Sequence, residues 1–315
     1  MQDSITTTVE DEQRTTFQDL ARKVSRNAAL DPQSGLPAET VDIFGLALAV
    51  VNAEETLVAI ANKIHSGEPG YFITANLHYA RLTAEHDDLP SLNAGADFVV
   101  ADGMPLVWYS RWTGTPLPER VTGSDMIYRI ASQAAELGHR IFFLGGAPGV
   151  ALDAANRLHE LNPNLKIAGV ETPPFRPLTE DENSQLIERI RTAGTDILFV
   201  ALGQPKGERW LADNLQQLGV PVCVQLGASF DFVAGRVKRA PKFYQRTGLE
   251  WAYRLCTEPR RMLPRYTGDA WFLAKSISVD IWSRIFGRRV ATKPAKKTAH
   301  TASSPPKTPV GGARG

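Results

Sequence analysis

An aspartate stands where a buried strand is predicted to end. The apolar segment Asp97–Ala101 is typical of such a strand, and Asp102 and Gly103 follow it directly. A carboxylate at the mouth of a strand can act as a general base and take the proton of a substrate hydroxyl. It can equally cap the helix that is predicted after Gly103. Asp102 is therefore a candidate catalytic residue with a purely structural alternative.

A glycine-rich turn follows the predicted strand Arg140–Leu144. Gly145, Gly146 and Gly149 would let backbone N–H groups and a helix N-terminus approach a diphosphate. The alternative is a tight turn from strand to helix. The turn does not match the G-x-G-x-x-G pattern, and the next acid at a predicted strand end, Glu171, lies 26 residues past Gly145. A dinucleotide cofactor is therefore only weakly supported.

An arginine in a polar loop is the third candidate. Arg120 lies in the segment Pro118–Asp125, which precedes a helix that we predict to be capped by Ser124. A guanidinium beside a helix start is well suited to bind phosphate oxygens. The alternative is a surface ion pair with Glu119 or Asp125.

Several common catalytic patterns are absent from the chain. It contains no D-x-D triplet to hold a metal on a sugar diphosphate, and neither H-x-x-x-H nor H-E-x-x-H occurs. The segment Gly227–Asp231 resembles a nucleophile elbow, but Asp231 stands where the final glycine is required. We therefore expect neither a bound metal nor a serine hydrolase.

Alternating strands and helices must position these residues. Short apolar strands separated by helical segments of 10–15 residues predict an α/β fold with a Rossmann-like parallel sheet and flanking helices. In such sheets, ligands bind beyond the carboxyl ends of the strands. Polar and glycine residues cluster at five such ends: Thr74 and Asn76, Asp102 and Gly103, Gly145–Gly149, Gly203 and Gln204, and Gly227–Asp231.

Composition suggests four segments. Residues 1–39 lack apolar periodicity and are predicted to form a disordered arm, and 40–247 form the α/β domain. Residues 248–286 form a basic appendage, since 236–286 contains eleven Lys or Arg against four acids. Residues 287–315 contain seven bases and no acid, and are predicted to be a disordered tail. Basic ends of this kind attract nucleic acid or anionic lipid.

The appendage contains a helix with an apolar face. At 100° per residue, one face collects Trp271, Ala274, Ser278, Ile281, Trp282 and Ile285. Such a face, with Lys and Arg elsewhere on the helix, is typical of a helix that lies on a membrane surface. The alternative is a helix packed on the protein body or on a partner.

Composition also limits the cellular location. Hydrophobic residues make up 43% of the chain, which excludes overall disorder, yet no run approaches the 18 apolar residues of a membrane span. The N-terminus is polar, and two cysteines are too few for a disulfide framework. We therefore expect a cytoplasmic protein.

Seven ordered motifs within residues 41–266 together resemble a known family. The motifs are Thr74-Ala-Asn76, Asn93–Pro105, Pro118–Asp125, Phe143–Gly149, Leu202–Glu208, Leu226–Pro241 and Gly248–Arg261. They are similar to those of the bacterial WecG/TagA/CpsF glycosyltransferases (glycosyltransferase family 26), which build cell-surface polysaccharides. The resemblance implies an inverting transfer of a sugar from a UDP-sugar to a polyprenyl-diphosphate-linked saccharide.

The resemblance also implies roles for individual residues. Asp102 matches the proposed base, and the pocket residues are matched by Thr74, Asn76, Arg120 and Gln204. The arginines that engage the donor diphosphate are matched by Arg254, Arg261 and Arg265. An inverting transfer without a metal needs one carboxylate and several cations, which agrees with these residues. We also predict that Gly145, Gly146, Gly149, Gly203, Gly227 and Asp231 contact substrate.

The expected partners follow from this activity. They are a UDP-sugar donor, a lipid-linked saccharide acceptor and the anionic inner face of the cell membrane, without nucleic acid or a cofactor. The sequence leaves the sugar, the acceptor and an oligomeric state open. It also leaves two other functions open: an NAD-linked oxidoreductase that uses the Gly145 turn, and a membrane-docked binding protein without activity.

Overall fold

The computed structural model describes residues 29–286, apart from the side chains of Lys242 and Arg246. The described chain forms two compact units, the first ending at Ile277 and the second beginning at Ser278. Most of the predicted arm, residues 1–28, and the whole predicted tail, 287–315, lie outside the described residues.

Eight strands form one sheet in the order β1-β2-β4-β3-β8-β7-β5-β6. All neighbouring strands are parallel except β1 and β2, which form an antiparallel hairpin. The predicted parallel sheet with flanking helices is therefore confirmed. The strands are β1 (Thr40–Ile43), β2 (Leu46–Ala49), β3 (Tyr71–Ala75), β4 (Phe98–Ala101), β5 (Arg140–Gly145), β6 (Lys166–Glu171), β7 (Ile197–Ala201) and β8 (Val222–Gln225).

Twelve helices are present in the described residues. They are α1 (Ala53–Ser66), α2 (Leu77–Glu85), α3 (Leu89–Gly95), α4 (Met104–Thr113), α5 (Gly123–Leu137), α6 (Val150–Leu161), α7 (Glu180–Thr192), α8 (Lys206–Leu218), α9 (Ser229–Val233), α10 (Lys242–Arg246), α11 (Glu250–Thr257) and α12 (Pro259–Ile285). Among the described residues, no helix is both long enough and apolar enough to span a bilayer.

Both faces of the sheet are buried. Along β5, Ile141 and Phe143 belong to one apolar cluster, whereas Phe142 and Leu144 belong to another. This alternation follows from the two-residue period of a strand. Helices α1, α5 and α6 contribute to the first cluster, and α2, α4, α7 and α8 contribute to the second. The three-layer arrangement leaves the carboxyl ends of the parallel strands as the place where polar groups can gather.

Local signals account for several helix starts. Asn52 and Thr179 each form a capping box with a glutamate three residues later, as the sequence indicates. The prediction that Ser124 caps α5 is wrong. Thr122 is the cap, because its side chain accepts the N–H of Asp125. The helix therefore begins at Gly123, beside Asp102.

The β1–β2 hairpin turns on Phe44 and Gly45, which both have positive φ (56° and 80°). A two-residue turn of this kind matches the twist of antiparallel strands. The apolar pattern of Val41–Phe44 predicts a strand that corresponds to β1. It does not predict β2, because Leu46–Ala49 is short and runs on into other apolar residues. The hairpin turn places the Phe44 ring against Tyr109 of α4 and Phe272 of α12.

The C-terminal segment is helical from α10 to α12. Within the first unit, Met262 is buried and Phe272 packs against the second apolar cluster. Asp269 is 4% exposed and accepts hydrogen bonds from Arg81 and His78 of α2. These contacts attach the first part of α12 to the α/β domain.

Candidate functional site

A cavity of about 730 Å³ opens at the carboxyl ends of four adjacent strands, β4, β3, β8 and β7. Residues that follow these strands form its polar wall, and α4, α11 and α12 close it from the other side. Ten of the predicted site residues line this cavity: Thr74, Asn76, Asp102, Arg120, Gly203, Gln204, Gly227, Arg254, Arg261 and Arg265. Residues distributed over almost 200 positions thus share one cavity.

Asp102 is half-buried in the cavity wall and does not cap α4. The residue at the start of α4 is Gly103, which offers no side chain. Instead, Asp102 Oδ2 accepts the N–H of Gly123, the first residue of α5, at 3.3 Å. One carboxylate is therefore held by a helix start while it lines the cavity.

Burial raises the pKa of Asp102 to about 6. The Gly123 N–H and the positive charges of Arg254 and Arg120 oppose this rise, whereas the negative charge of Glu250 adds to it. A carboxylate with a pKa near 6 is ionised at neutral pH and is more basic than an exposed aspartate. These are the properties of a general base that works near neutral pH.

This pKa predicts the pH dependence of the rate. If Asp102 must be ionised, kcat/KM should rise with pH through about 6 and level off above it, since kcat/KM reports ionisations of the free enzyme. A steady-state series from about pH 5 to 8 measures this limb. A flat profile over that range would contradict the role of Asp102 as a base.

A chain of side-chain amides extends along the cavity wall. Gln204 Nε2 donates to the Thr74 carbonyl at 3.2 Å and to Glu208 Oε1 at 2.9 Å. Asn76 Nδ2 donates to Gln204 Oε1 at 3.4 Å. Asn76 Oδ1 accepts from the Tyr79 N–H and from Arg265 Nη2. Each amide is therefore oriented by its neighbours.

The orientation of the Gln204 amide determines whether it can donate a hydrogen bond to a ligand or accept one from it. Both hydrogens of its amide nitrogen point at acceptors, and a reversed amide would place oxygen against the Thr74 and Glu208 oxygens. The oxygen Oε1 therefore faces Asn76 and retains a lone pair for a further donor. Gln204 can accept from a sugar hydroxyl or an amide N–H, but it cannot bind a phosphate oxygen in this way.

Glu208 supports this arrangement from inside the protein. It is 1% exposed, and burial raises its pKa to about 7. Its Oε2 has no hydrogen-bond partner among the described residues. Local sequence does not predict this role, although Glu208 is the last residue of one of the seven motifs and lies one helical turn after Gln204.

Arg120 pairs with neither Glu119 nor Asp125. Its Nη1 lies 3.5 Å from Glu250 Oε2. Glu119 accepts the Ala53 N–H instead, and Asp125 pairs through both oxygens with Arg239. The surface ion pairs considered as the alternative for Arg120 are therefore wrong.

Glu250 is a second site residue whose role local sequence does not predict. Its carboxylate lies between Arg120 and Arg239, at 3.5 and 3.9 Å, and it lines the cavity. The residue is the first of α11, so the ion pair with Arg120 connects this helix to the loop before α5. The motif Gly248–Arg261 contains Glu250, but only the fold shows which arginines Glu250 contacts.

The three arginines of the appendage have different surroundings. The Arg254 guanidinium lies 4.7 Å from the centre of the Phe232 ring. Arg261 is 61% exposed and pairs with Glu258. Burial lowers the pKa of Arg265, whose Nε has no hydrogen-bond partner among the described residues. All three line the cavity and supply positive charge there.

Four predicted site residues do not line this cavity. Gly145, Gly146 and Gly149 follow β5, which lies beyond β7 in the sheet. Gly145 has φ of 103°, and a Cβ there would lie 2.6 Å from the Ala201 carbonyl oxygen. The residue thus meets the requirement of a tight turn against β7. Asp231 lies on α9, where burial raises its pKa. Substrate contact by these four residues stays a prediction.

No group of three or more His, Cys, Asp or Glu side chains within the described residues could hold a metal ion. Positive charge on the cavity wall comes from the arginine side chains.

Comparison with known proteins shows which sequences this chain is similar to. A model of the glycosyl transferase WecG/TagA/CpsF family matches residues 41–286. A Bacillus spizizenii protein named N-acetylglucosaminyldiphosphoundecaprenol N-acetyl-beta-D-mannosaminyltransferase is 33% identical over 201 residues, covering 62% of this chain and 76% of that protein. A Bacillus subtilis protein of the same name is 31% identical over 198 residues, covering 61% and 75%. The family match contains every residue that lines the cavity.

Proposed function

Because the chain belongs to the WecG/TagA/CpsF family and is a glycosyltransferase, we propose that it transfers a hexosyl group from a UDP-sugar to a saccharide linked to a polyprenyl diphosphate. Membership in a glycosyltransferase family argues against the two other functions that the sequence left open, an NAD-linked oxidoreductase and an inactive binding protein. The observation that carries the proposal is a half-buried carboxylate, Asp102, in one cavity with four arginines.

The cavity residues suit each part of the reaction. The acceptor oxygen bonds to the anomeric carbon of the donor while the bond from that carbon to the UDP phosphate breaks. Asp102 takes the proton of the acceptor hydroxyl. Arg254, Arg261 and Arg265 stabilise the negative charge on the leaving UDP. Attack opposite the leaving group inverts the anomeric configuration.

Gln204 and Asn76 suit recognition of the sugar. The oriented Gln204 Oε1 accepts from a hydroxyl or an N-acetyl N–H of a hexosyl group. The two relatives are named for N-acetylmannosaminyl transfer onto an N-acetylglucosaminyl diphospholipid. UDP-N-acetylmannosamine with this acceptor is therefore the first pair to test.

The experiment is a measurement of UDP release. Purified protein is incubated with a panel of UDP-hexoses and UDP-N-acetylhexosamines, with and without a short-chain N-acetylglucosaminyl diphospholipid. We expect acceptor-dependent UDP release with one donor, and NMR should show that the anomeric configuration of the product is inverted. Release without acceptor, or from none of the donors, would contradict the proposed transfer.

We also propose that the reaction needs no metal. The arginines of the cavity supply the charge that a divalent ion would otherwise place on the diphosphate. Adding EDTA in excess should therefore leave the initial rate within about twofold of the untreated enzyme. A loss that Mg²⁺ or Mn²⁺ restores would show that a metal takes part.

We propose, finally, that the enzyme binds reversibly to the inner face of the cell membrane. Trp271 in the first unit is 75% exposed, and Trp282 and Ile285 in the second are 66% and 67% exposed. Exposed aromatic and aliphatic side chains on a basic helix favour the membrane interface.

Flotation on vesicles tests this docking. The protein should float with vesicles that contain anionic lipid at low salt, because each nearby Lys or Arg contributes about 1 kcal/mol. Salt near 0.5 M should release it, since screening at that concentration is effective within about 5 Å. Equal flotation with purely zwitterionic vesicles would contradict the electrostatic part of the proposal.

A further inference from the structure

The residues of α12 that line the cavity are cationic near the start of the helix and apolar further along. Arg261 and Arg265 line the cavity near the start of this helix, whereas Ala270, Leu273 and Ile277 line it further along. At 1.5 Å per residue, Arg265 and Ile277 are about 18 Å apart. The cavity therefore runs from a cationic end to an apolar end on this side.

Helix α4 contributes further apolar residues to the cavity wall. It begins two residues after Asp102, and Met104, Trp108 and Trp112 line the cavity along it. These positions extend over about 12 Å. Trp108 and Trp112 are 44% and 45% exposed, so two large apolar side chains remain accessible at the cavity wall.

Aromatic contacts hold the two helices beside each other. Phe44 lies 4.2 Å from Tyr109 of α4 and 5.5 Å from Phe272 of α12, measured between ring centres. Tyr109 in turn lies 5.5 Å from Trp112. The apolar residues of α4 and α12 thus form the two walls of one corridor, whose inner end is next to Asp102 and Arg265.

Asp269 also lines this stretch, but its charge is compensated. The carboxylate is 4% exposed and lies 2.9 Å from Arg81 Nε. It therefore leaves the corridor suitable for an apolar ligand.

The carboxylate at the inner end of the corridor and the apolar walls beyond it match the two ends of a lipid-linked acceptor. A reacting hydroxyl at Asp102 is followed in such a molecule by its sugar, then by a diphosphate and then by an alkenyl chain. We propose that the corridor formed by Trp108, Trp112, Leu273 and Ile277 binds the isoprenoid units next to the acceptor diphosphate. This inference rests on the proposed function. It assigns the apolar half of the site to the lipid tail.

The kinetic test compares two acceptors that differ only in tail length. One has a methyl group in place of the isoprenoid tail and the other has four isoprene units, both presented in the same detergent. In the variants Leu273→Ser and Trp112→Ser, KM for the long-tailed acceptor should rise roughly tenfold, as expected for loss of one buried apolar side chain. For the short-tailed acceptor, KM and kcat should stay within twofold of the parent enzyme, or about 0.4 kcal/mol.

Leu263→Ser is the matched control. Leu263 is 53% exposed on the same helix and does not line the cavity, so the same substitution should change neither KM. Equal effects of Leu273→Ser on both acceptors would overturn the proposal, as would no effect of Leu273→Ser and Trp112→Ser on the long-tailed one.

A binding measurement tests the assignment of the corridor without requiring catalytic turnover. Calorimetry with geranylgeranyl diphosphate and with inorganic diphosphate should show that the former binds at least tenfold more tightly, and Leu273→Ser should reduce this ratio. This holds even if no sugar is transferred, so the two proposals can fail separately. If geranylgeranyl diphosphate bound no more tightly than inorganic diphosphate, the assignment of the corridor to the lipid tail would be overturned.

Discussion

Replacing Asp102 by Asn is expected to lower kcat by about 10² to 10⁴-fold, the usual loss when a general base is removed. Asn has nearly the same shape and can still accept the Gly123 N–H, so the cavity should keep its form. UDP binding should therefore be retained while turnover is lost. Single-turnover rates and UDP titration by calorimetry separate the two effects.

Stability distinguishes a catalytic Asp102 from a structural one. Because its pKa is raised to about 6 in the folded state, the folded protein holds this proton more tightly than the unfolded chain does. The stabilisation is complete below the unfolded pKa of about 3.9 and is lost as the pH rises through about 6. Asp102→Asn should therefore raise Tm more at about pH 8 than at about pH 4.

Asp87→Asn is the matched control for this variant. Asp87 is exposed and does not line the cavity, so its replacement should change neither kcat nor the pH dependence of Tm. Near-normal kcat in Asp102→Asn, together with a lower Tm, would assign Asp102 to the structure of the α5 start alone.

Replacing Arg254 by Gln is expected to lower kcat by about 10² to 10³-fold, as when one preorganised group that stabilises transition-state charge is removed. The substitution should also shift the acidic limb of the pH profile. The Arg254 charge favours the ionised form of Asp102, so without it the pKa seen in kcat/KM should move above its value in the parent enzyme. A merely structural role of Arg254 would not move this limb.

Arg260→Gln serves as the comparison. Arg260 lies on α12 beside Arg261, is exposed and does not line the cavity. In detergent it should retain both the rate and the pH profile of the parent enzyme. An Arg254→Gln enzyme that behaves like Arg260→Gln would show that the leaving diphosphate is stabilised elsewhere, with Arg120 as the next residue to replace.

Local sequence determined most of the elements. Capping boxes at Asn52 and Thr179 are short-range patterns whose hydrogen bonds form within one turn, so a single segment suffices to predict them. The start of α5 shows the limit of such patterns. Thr122 and Ser124 are both good caps, and the choice depends on how Gly123 is placed beside Asp102.

Local sequence patterns do not predict which charged side chains pair with each other. Arg120 has two acids within five residues, yet it pairs with Glu250, which lies 130 positions further along the chain. Burial of Glu208 below Gln204 likewise depends on packing between helix and sheet. For Arg120, the acids nearest in the sequence are not the acid that it pairs with in space.

The fold class, the glycosyltransferase family and the polar residues at the strand ends can all be predicted from the amino-acid sequence. Which of these strand ends lie together depends on the order of the strands in the folded sheet. Parallel strands lie about 4.8 Å apart, so a cavity of this size can include a few adjacent strand ends and no more. The order β4-β3-β8-β7 brings Asp102, Thr74, Gly227 and Gln204 together, whereas β5 places the Gly145 turn one strand beyond.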